Sequence, residues 1–187
     1  NEIGGYRIKK NSALLLDNIH YGPTPIDTSD LTTFNFFFMP SAPKRPTREF
    51  ILGTSGISPI VPPLVIAPGK VQSFTTRYVV PETISLLTIN PHMHLLGRSL
   101  KMTLNPGTAA EQIILNVTNY NFDDQSPTLL KKPISINPGD TVRVECTFDP
   151  TLRQKIPQLK SLEPRYVTWG EGSSDEMCLG VLSVTTN

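Results

Sequence analysis

The stretch NPGDTVRVECTF, residues 137–148, joins a tight-turn signal to a strand pattern. Pro138 and Gly139 suit the central positions of a β-turn, because proline fixes its own φ and glycine tolerates a positive φ. From Thr141 onward, β-branched and aromatic residues partly alternate with polar ones, as in a half-buried strand. The stretch therefore predicts a strand that is entered through a tight turn.

The same combination of turn and strand recurs along the chain. Strand patterns occupy residues 71–80, 99–105 and 111–120, and further Pro-Gly turn signals lie at 67–70 and 105–107. Residues 81–87 allow one helical turn at most, and no segment has a sustained apolar period of 3.6 residues. We therefore predict an all-β fold, an antiparallel β-sandwich of the jelly-roll kind.

The composition argues against several classes of protein. The 187 residues include 17 basic and 16 acidic ones, so the net charge is +1, and no basic run stands out. We therefore expect no nucleic acid as a partner. The apolar runs are short and contain prolines, so no membrane span is expected. The two cysteines leave open a single disulfide or two free thiols.

A proline-rich segment lies near the N-terminus. The stretch PSAPKRPT, residues 40–47, suits an extended linker. Strand-like runs at 13–21 and 31–40 precede it, and the phenylalanines of the second run require burial. We predict three parts: residues 1–41 as a strand hairpin that ends a truncated N-terminal domain, 42–47 as linker, and 48–187 as the C-terminal β-sandwich.

Two of the three histidines stand in the triplet HMH. In a strand, residues i and i+2 point to the same face, so His92 and His94 would present their imidazoles side by side. Downstream, Met177 offers a thioether, and two imidazoles with a thioether favour copper over zinc or calcium. The alternative is a pair of surface histidines and a methionine that only fills the core.

The stretches HMHLLGRSL and WGEGSSDEMC, residues 92–100 and 169–178, resemble the C-terminal domain of the copper type II, ascorbate-dependent monooxygenases. This is the family of dopamine β-monooxygenase and the peptidylglycine hydroxylating monooxygenase. The resemblance covers roughly residues 60 to 182. It implies that His92, His94 and Met177 bind the catalytic copper.

The resemblance has two further structural implications. Cys146 and Cys178 would pair in a disulfide, which indicates a secreted or periplasmic protein. His20 matches one of three histidine ligands of the family's second, electron-transfer copper, but the chain lacks the adjacent histidine pair that supplies the other two. One complete copper site is therefore expected in this chain and two in the full-length protein, whose N-terminal copper domain is missing here.

The resemblance also implies a reaction, the hydroxylation of a substrate C–H bond by O2 with ascorbate as the external reductant. The peptide-hydroxylating members carry an arginine two residues before the first histidine and a tyrosine four residues after the methionine. Asn90 and Val181 stand at these positions, so the small-molecule or peptide substrate stays open. A non-catalytic or vestigial copper-binding sandwich is the alternative. A cupin is less favoured, because its further acidic and histidine ligands are lacking.

Overall fold

The computed structural model describes residues 3–16, 26–53, 57–157 and 159–186. Within these ranges the chain forms eleven strands and one short 3₁₀ helix, Pro150–Gln154. In chain order the strands are β1 (Ile3–Tyr6), β2 (Arg45–Leu52), β3 (Val65–Ile66), β4 (Gln72–Val79), β5 (Ile84–His92), β6 (Gly97–Leu104), β7 (Gln112–Val117), β8 (Thr128–Ile136), β9 (Thr141–Phe148), β10 (Val167–Thr168) and β11 (Leu179–Thr186). None of the described residues belongs to a helix long and apolar enough to cross a membrane.

The strands form two main sheets. The larger sheet has the order β1-β2-β11-β5-β8 and the smaller one β4-β9-β6-β7, while β3 and β10 form a separate pair. All pairings are antiparallel except that of β1 with β2. The predicted all-β antiparallel sandwich is therefore confirmed.

The core lies between the two sheets. Every second residue of β9 is buried, as is every second residue over most of β11, so each strand turns one face inward. Gly180 of β11 marks a close approach, because an added Cβ would lie 2.7 Å from the Cε of Met102 and 2.9 Å from a methyl of Val144. The two sheets therefore pack closely at the start of β11.

A disulfide joins Cys146 of β9 to Cys178, which immediately precedes β11. Both cysteines are fully buried. The bond therefore links the two sheets covalently, and it fixes the residue that follows Met177. The pairing that the family resemblance implied is present.

The N-terminal part differs from the predicted hairpin. Residues 26–40 form no strand, because no neighbouring segment pairs with them, and Phe37 and Phe38 are 93% and 81% exposed. Most of the first predicted run, including His20, lies outside the described residues. Strand β2 begins at Arg45, within the stretch predicted as linker. The division into domains remains a prediction.

Residues 81–87, for which the sequence allowed one helical turn at most, contain no helical turn. Strand β5 begins at Ile84 and lies between β11 and β8 in the larger sheet. Its residues are mostly buried, which removes the alternation of apolar and polar residues by which a half-buried strand is recognised. This strand carries the first histidine of the candidate site at its C-terminal end.

Candidate copper site

The candidate site lies where β5 ends and β11 begins. These strands pair in antiparallel register, with His92 opposite Leu179. Continuing this register by two residues places Met177 opposite His94. Paired residues share a face of the sheet, and so do residues i and i+2. The fold therefore brings the histidine pair and the methionine to one edge of the sandwich from distant parts of the chain.

The two imidazoles are close and perpendicular. Their ring centres are 5.2 Å apart and their planes cross at 89°. Two imidazoles that share a metal at bond lengths of about 2 Å have ring centres about 5 Å apart. His94 is fully buried and His92 partly so, which excludes two freely exposed surface histidines.

Each imidazole has an oxygen beside its Nδ1 atom. The Oε1 atom of Gln125 lies 2.5 Å from Nδ1 of His92, and the carbonyl oxygen of Asp175 lies 3.2 Å from Nδ1 of His94. Amide and carbonyl oxygens only accept hydrogen bonds, so in both contacts Nδ1 is the donor. In the neutral ring, Nε2 then keeps its lone pair, which is the state that binds a metal.

Glu176 holds the histidine turn, residues 92–97, close to Met177. Its buried carboxyl group accepts hydrogen bonds from the backbone N–H groups of His94, at 2.8 Å, and Leu96, at 2.6 Å. Burial raises the pKa of Glu176 to about 8, and these amide donors, with that of Met177, oppose part of the rise. Because Glu176 directly precedes Met177, one side chain connects the two ligand-bearing segments.

Tyr120 holds the residue between the two histidines. Its hydroxyl accepts a hydrogen bond from the backbone N–H of Met93 at 2.9 Å and donates one to the carbonyl of Met93 at 2.7 Å. Burial is the main cause that raises the pKa of Tyr120 to about 12. The phenol therefore stays protonated at neutral pH and can make both bonds.

The donor set of the site fits copper. No three His, Cys, Asp or Glu side chains converge as a metal site within the part of the chain that the structure describes. Met177 is only 8% exposed and directly follows Glu176, whose side chain binds the backbone N–H of His94, so its thioether is a candidate third donor. A thioether is a soft ligand and imidazole is a borderline one, and the combination suits reduced copper.

The residue pair that lies next to His92 on the sheet surface, Asn90 and Val181, is uncharged. Asn90 pairs with Val181 in the row after His92 and Leu179, and Ile51 of β2 pairs with Val181 in turn. Side chains of such paired residues lie on the same face. The polar amide and two apolar side chains therefore form the sheet surface beside the first imidazole.

Sequence reasoning missed two of these residues. Gln125 and Tyr120 lie in the loop between β7 and β8, about thirty residues after the histidines, and no local motif connects them. The side chain of Glu176, which directly precedes the candidate ligand Met177, binds the backbone of the histidine turn. Only the folded arrangement shows these three contacts.

A family model of the copper type II ascorbate-dependent monooxygenases, C-terminal domain, matches residues 60–183. The chain belongs to this family, as the sequence motifs predicted. It is also 30% identical over 89 residues to DBH-like monooxygenase protein 2 of Mus musculus. That match covers 47% of this chain and 13% of the mouse protein, so the chain spans a small part of that relative's length.

Proposed function

We propose that this chain carries the catalytic copper site of a monooxygenase, with His92, His94 and Met177 as the copper ligands. The observation that carries the proposal is the pair of imidazoles 5.2 Å apart, each with an oxygen acceptor at Nδ1. Both Nε2 atoms are thereby prepared for one metal. The hydrogen bond from the backbone N–H of His94 to Glu176, which directly precedes Met177, supports the thioether as the third ligand.

Copper bound there would supply the one-electron chemistry by which O2 converts a substrate C–H bond to C–OH, with ascorbate providing two electrons and water as the second product. The chain itself would contribute three ligands, His92, His94 and Met177, and the bound metal would activate a small molecule there. Asn90 and Val181 flank the approach along the sheet surface. Without a cation there, the substrate we propose is not a peptide recognised through a terminal carboxylate.

The complete enzyme that we propose is longer than this chain. His20 would be one ligand of an electron-transfer copper, and a preceding domain would supply the others. The buried disulfide supports an oxidising, extracytoplasmic location for the protein.

The ligand set is tested by copper stoichiometry and X-ray absorption after loading under ascorbate. We expect one tightly bound copper with a sulfur scatterer in the reduced state. His94→Ala should abolish tight binding, and Met177→Leu should remove the sulfur signal at nearly constant side-chain volume. Met102→Leu is the matched control, because Met102 is fully buried in the core. A sulfur signal that survives Met177→Leu would contradict the assignment.

A non-catalytic copper-binding role is the second candidate for the isolated chain. One observation favours it: His20 is the only histidine besides the proposed pair, so the chain cannot build a second three-histidine site. The two candidates separate in a version extended through the N-terminal copper domain. Ascorbate-dependent O2 consumption coupled to substrate hydroxylation in that version supports the enzyme, and copper binding without turnover supports the second role.

A further inference from the structure

One loop contacts three consecutive residues of the histidine turn. Within residues 120–125, Gln125 contacts His92 and Tyr120 binds both backbone groups of Met93. In the same loop the ring of Phe122 packs edge-on against His94, with ring centres 5.9 Å apart and planes at 86°. The loop therefore contacts His92, Met93 and His94 one after another.

We propose that residues 120–125 are a positioning loop, which sets the tautomer of His92 and the orientation of both imidazoles before copper binds. Gln125 is its central positioning residue. This inference rests on the proposed copper site. It goes beyond it by assigning the control of ligand geometry to a loop outside both ligand motifs.

Both the oxygen and the nitrogen of the Gln125 side-chain amide have a hydrogen-bond partner. Its Oε1 atom faces Nδ1 of His92 at 2.5 Å, while its Nε2 atom donates to the carbonyl of Phe122 at 2.8 Å. The second bond fixes which end of the amide faces the imidazole. Only the acceptor oxygen can then meet Nδ1, so His92 is kept in the tautomer that leaves Nε2 for a metal.

Tyr120 fixes the backbone between the two imidazoles. Because one hydroxyl binds both the N–H and the carbonyl of Met93, the spacing of the flanking histidines is set from the main chain. Gly97 permits this contact. A Cβ at Gly97 would lie 2.8 Å from the Cβ of Met93 and 2.9 Å from a ring carbon of Tyr120.

The first test needs no metal. Long-range ¹⁵N–¹H NMR of the copper-free protein reports which nitrogen of each imidazole carries the proton. We expect the Nδ1–H tautomer for His92 in the wild type, a mixture of tautomers in Gln125→Leu, and recovery in Gln125→Glu, which keeps an acceptor oxygen. Gln112→Leu, at an exposed position of β7, is the matched control and should leave the spectrum unchanged.

The second test measures Cu(I) affinity by competition with a chelator, together with the thermal midpoint. We expect Gln125→Leu to weaken binding about 10- to 100-fold at an unchanged midpoint, and Gln125→Glu to restore most of it. Tyr120→Phe should weaken binding and also lower the midpoint, because two backbone groups lose their partner.

The outcomes separate this inference from the proposed function. A wild-type protein that binds no copper at His92 and His94 would overturn both. Copper binding that is lost on His94→Ala but unaffected by Gln125→Leu, with an unchanged His92 tautomer, would overturn the positioning loop alone. An affinity loss in Gln125→Leu that is matched by a lower thermal midpoint and not rescued by glutamate would also overturn it.

Discussion

At the scale of single residues, Glu176 connects the histidine turn to the methionine segment. Its carboxylate satisfies two buried backbone N–H groups, those of His94 and Leu96. A buried donor that loses its partner costs about 1–3 kcal/mol. Truncation of this side chain is therefore expected to loosen the site and the fold together.

We expect Glu176→Ala to lower the free energy of unfolding by about 2–4 kcal/mol, because two donors lose their acceptor. Urea unfolding followed by tryptophan fluorescence measures the change. Glu145→Ala is the matched control, since Glu145 only pairs with Lys101 at the surface, at 3.4 Å, and such pairs contribute about 0–1 kcal/mol. Equal losses in the two variants would contradict the role of Glu176.

At the scale of elements, the end of β2 lies directly against the disulfide segment. Gly53 has φ +101°, and an added Cβ would lie 1.9 Å from the carbonyl oxygen of Cys178. We expect Gly53→Ala to cost about 3–5 kcal/mol, from overpacking against backbone and a strained φ together. Gly139→Ala should cost only about 1 kcal/mol, because Gly139 has φ +90° but no atom within 4 Å. Denaturant titration measures the loss of unfolding free energy in both variants. The difference between the two losses is the cost of the steric clash at Gly53, because both positions share a positive φ.

The disulfide joins the two sheets across 32 residues of sequence. For a loop of this length, the chain-entropy model assigns a stabilisation of about 3–4 kcal/mol. We expect the double variant Cys146→Ala, Cys178→Ala to lose that amount in urea unfolding. Reductant should destabilise the wild type to the same level and leave the double variant unchanged. A reductant effect on the double variant would contradict this explanation.

The two sheets differed in how well the sequence predicted them. The four strand patterns all belong to the smaller sheet, β4, β6, β7 and β9, where turn signals and partial alternation are clear. In the larger sheet, Pro46, Pro91 and Pro133 lie inside β2, β5 and β8. Proline disfavours strand interiors, so these segments were not recognised.

The candidate site, like the fold, was predicted only in part from the sequence. The ligand residues could be proposed because His92, His94 and Met177 stand in compact motifs. Gln125 and Tyr120 could not, because their roles depend on a loop that only the folded sheets bring to the histidine turn. Long-range side-chain contacts of this kind leave no periodic signal in the sequence.

At the scale of the whole molecule, the stretch 26–40 exposes large aromatic side chains. Residues 26–40 form no strand, and Phe37 and Phe38 are almost fully exposed. Adjacent exposed aromatic residues of this kind are typical of a surface that another part of a protein covers. That residues 1–41 complete a preceding domain stays a prediction, and within this range β1 pairs with β2 in the larger sheet.

We expect brief chymotrypsin treatment of this chain to cut first at Phe36, Phe37 or Phe38, because the backbone there lies outside the sheets and is open to protease. The remaining fragment should keep the disulfide and resist further cleavage, since its strands are paired. In the longer protein the same bonds should be protected, because the preceding domain would bury the phenylalanines. Mass spectrometry of timed digests identifies the cuts. First cleavage elsewhere, or equal cleavage in both proteins, would contradict the predicted domain boundary.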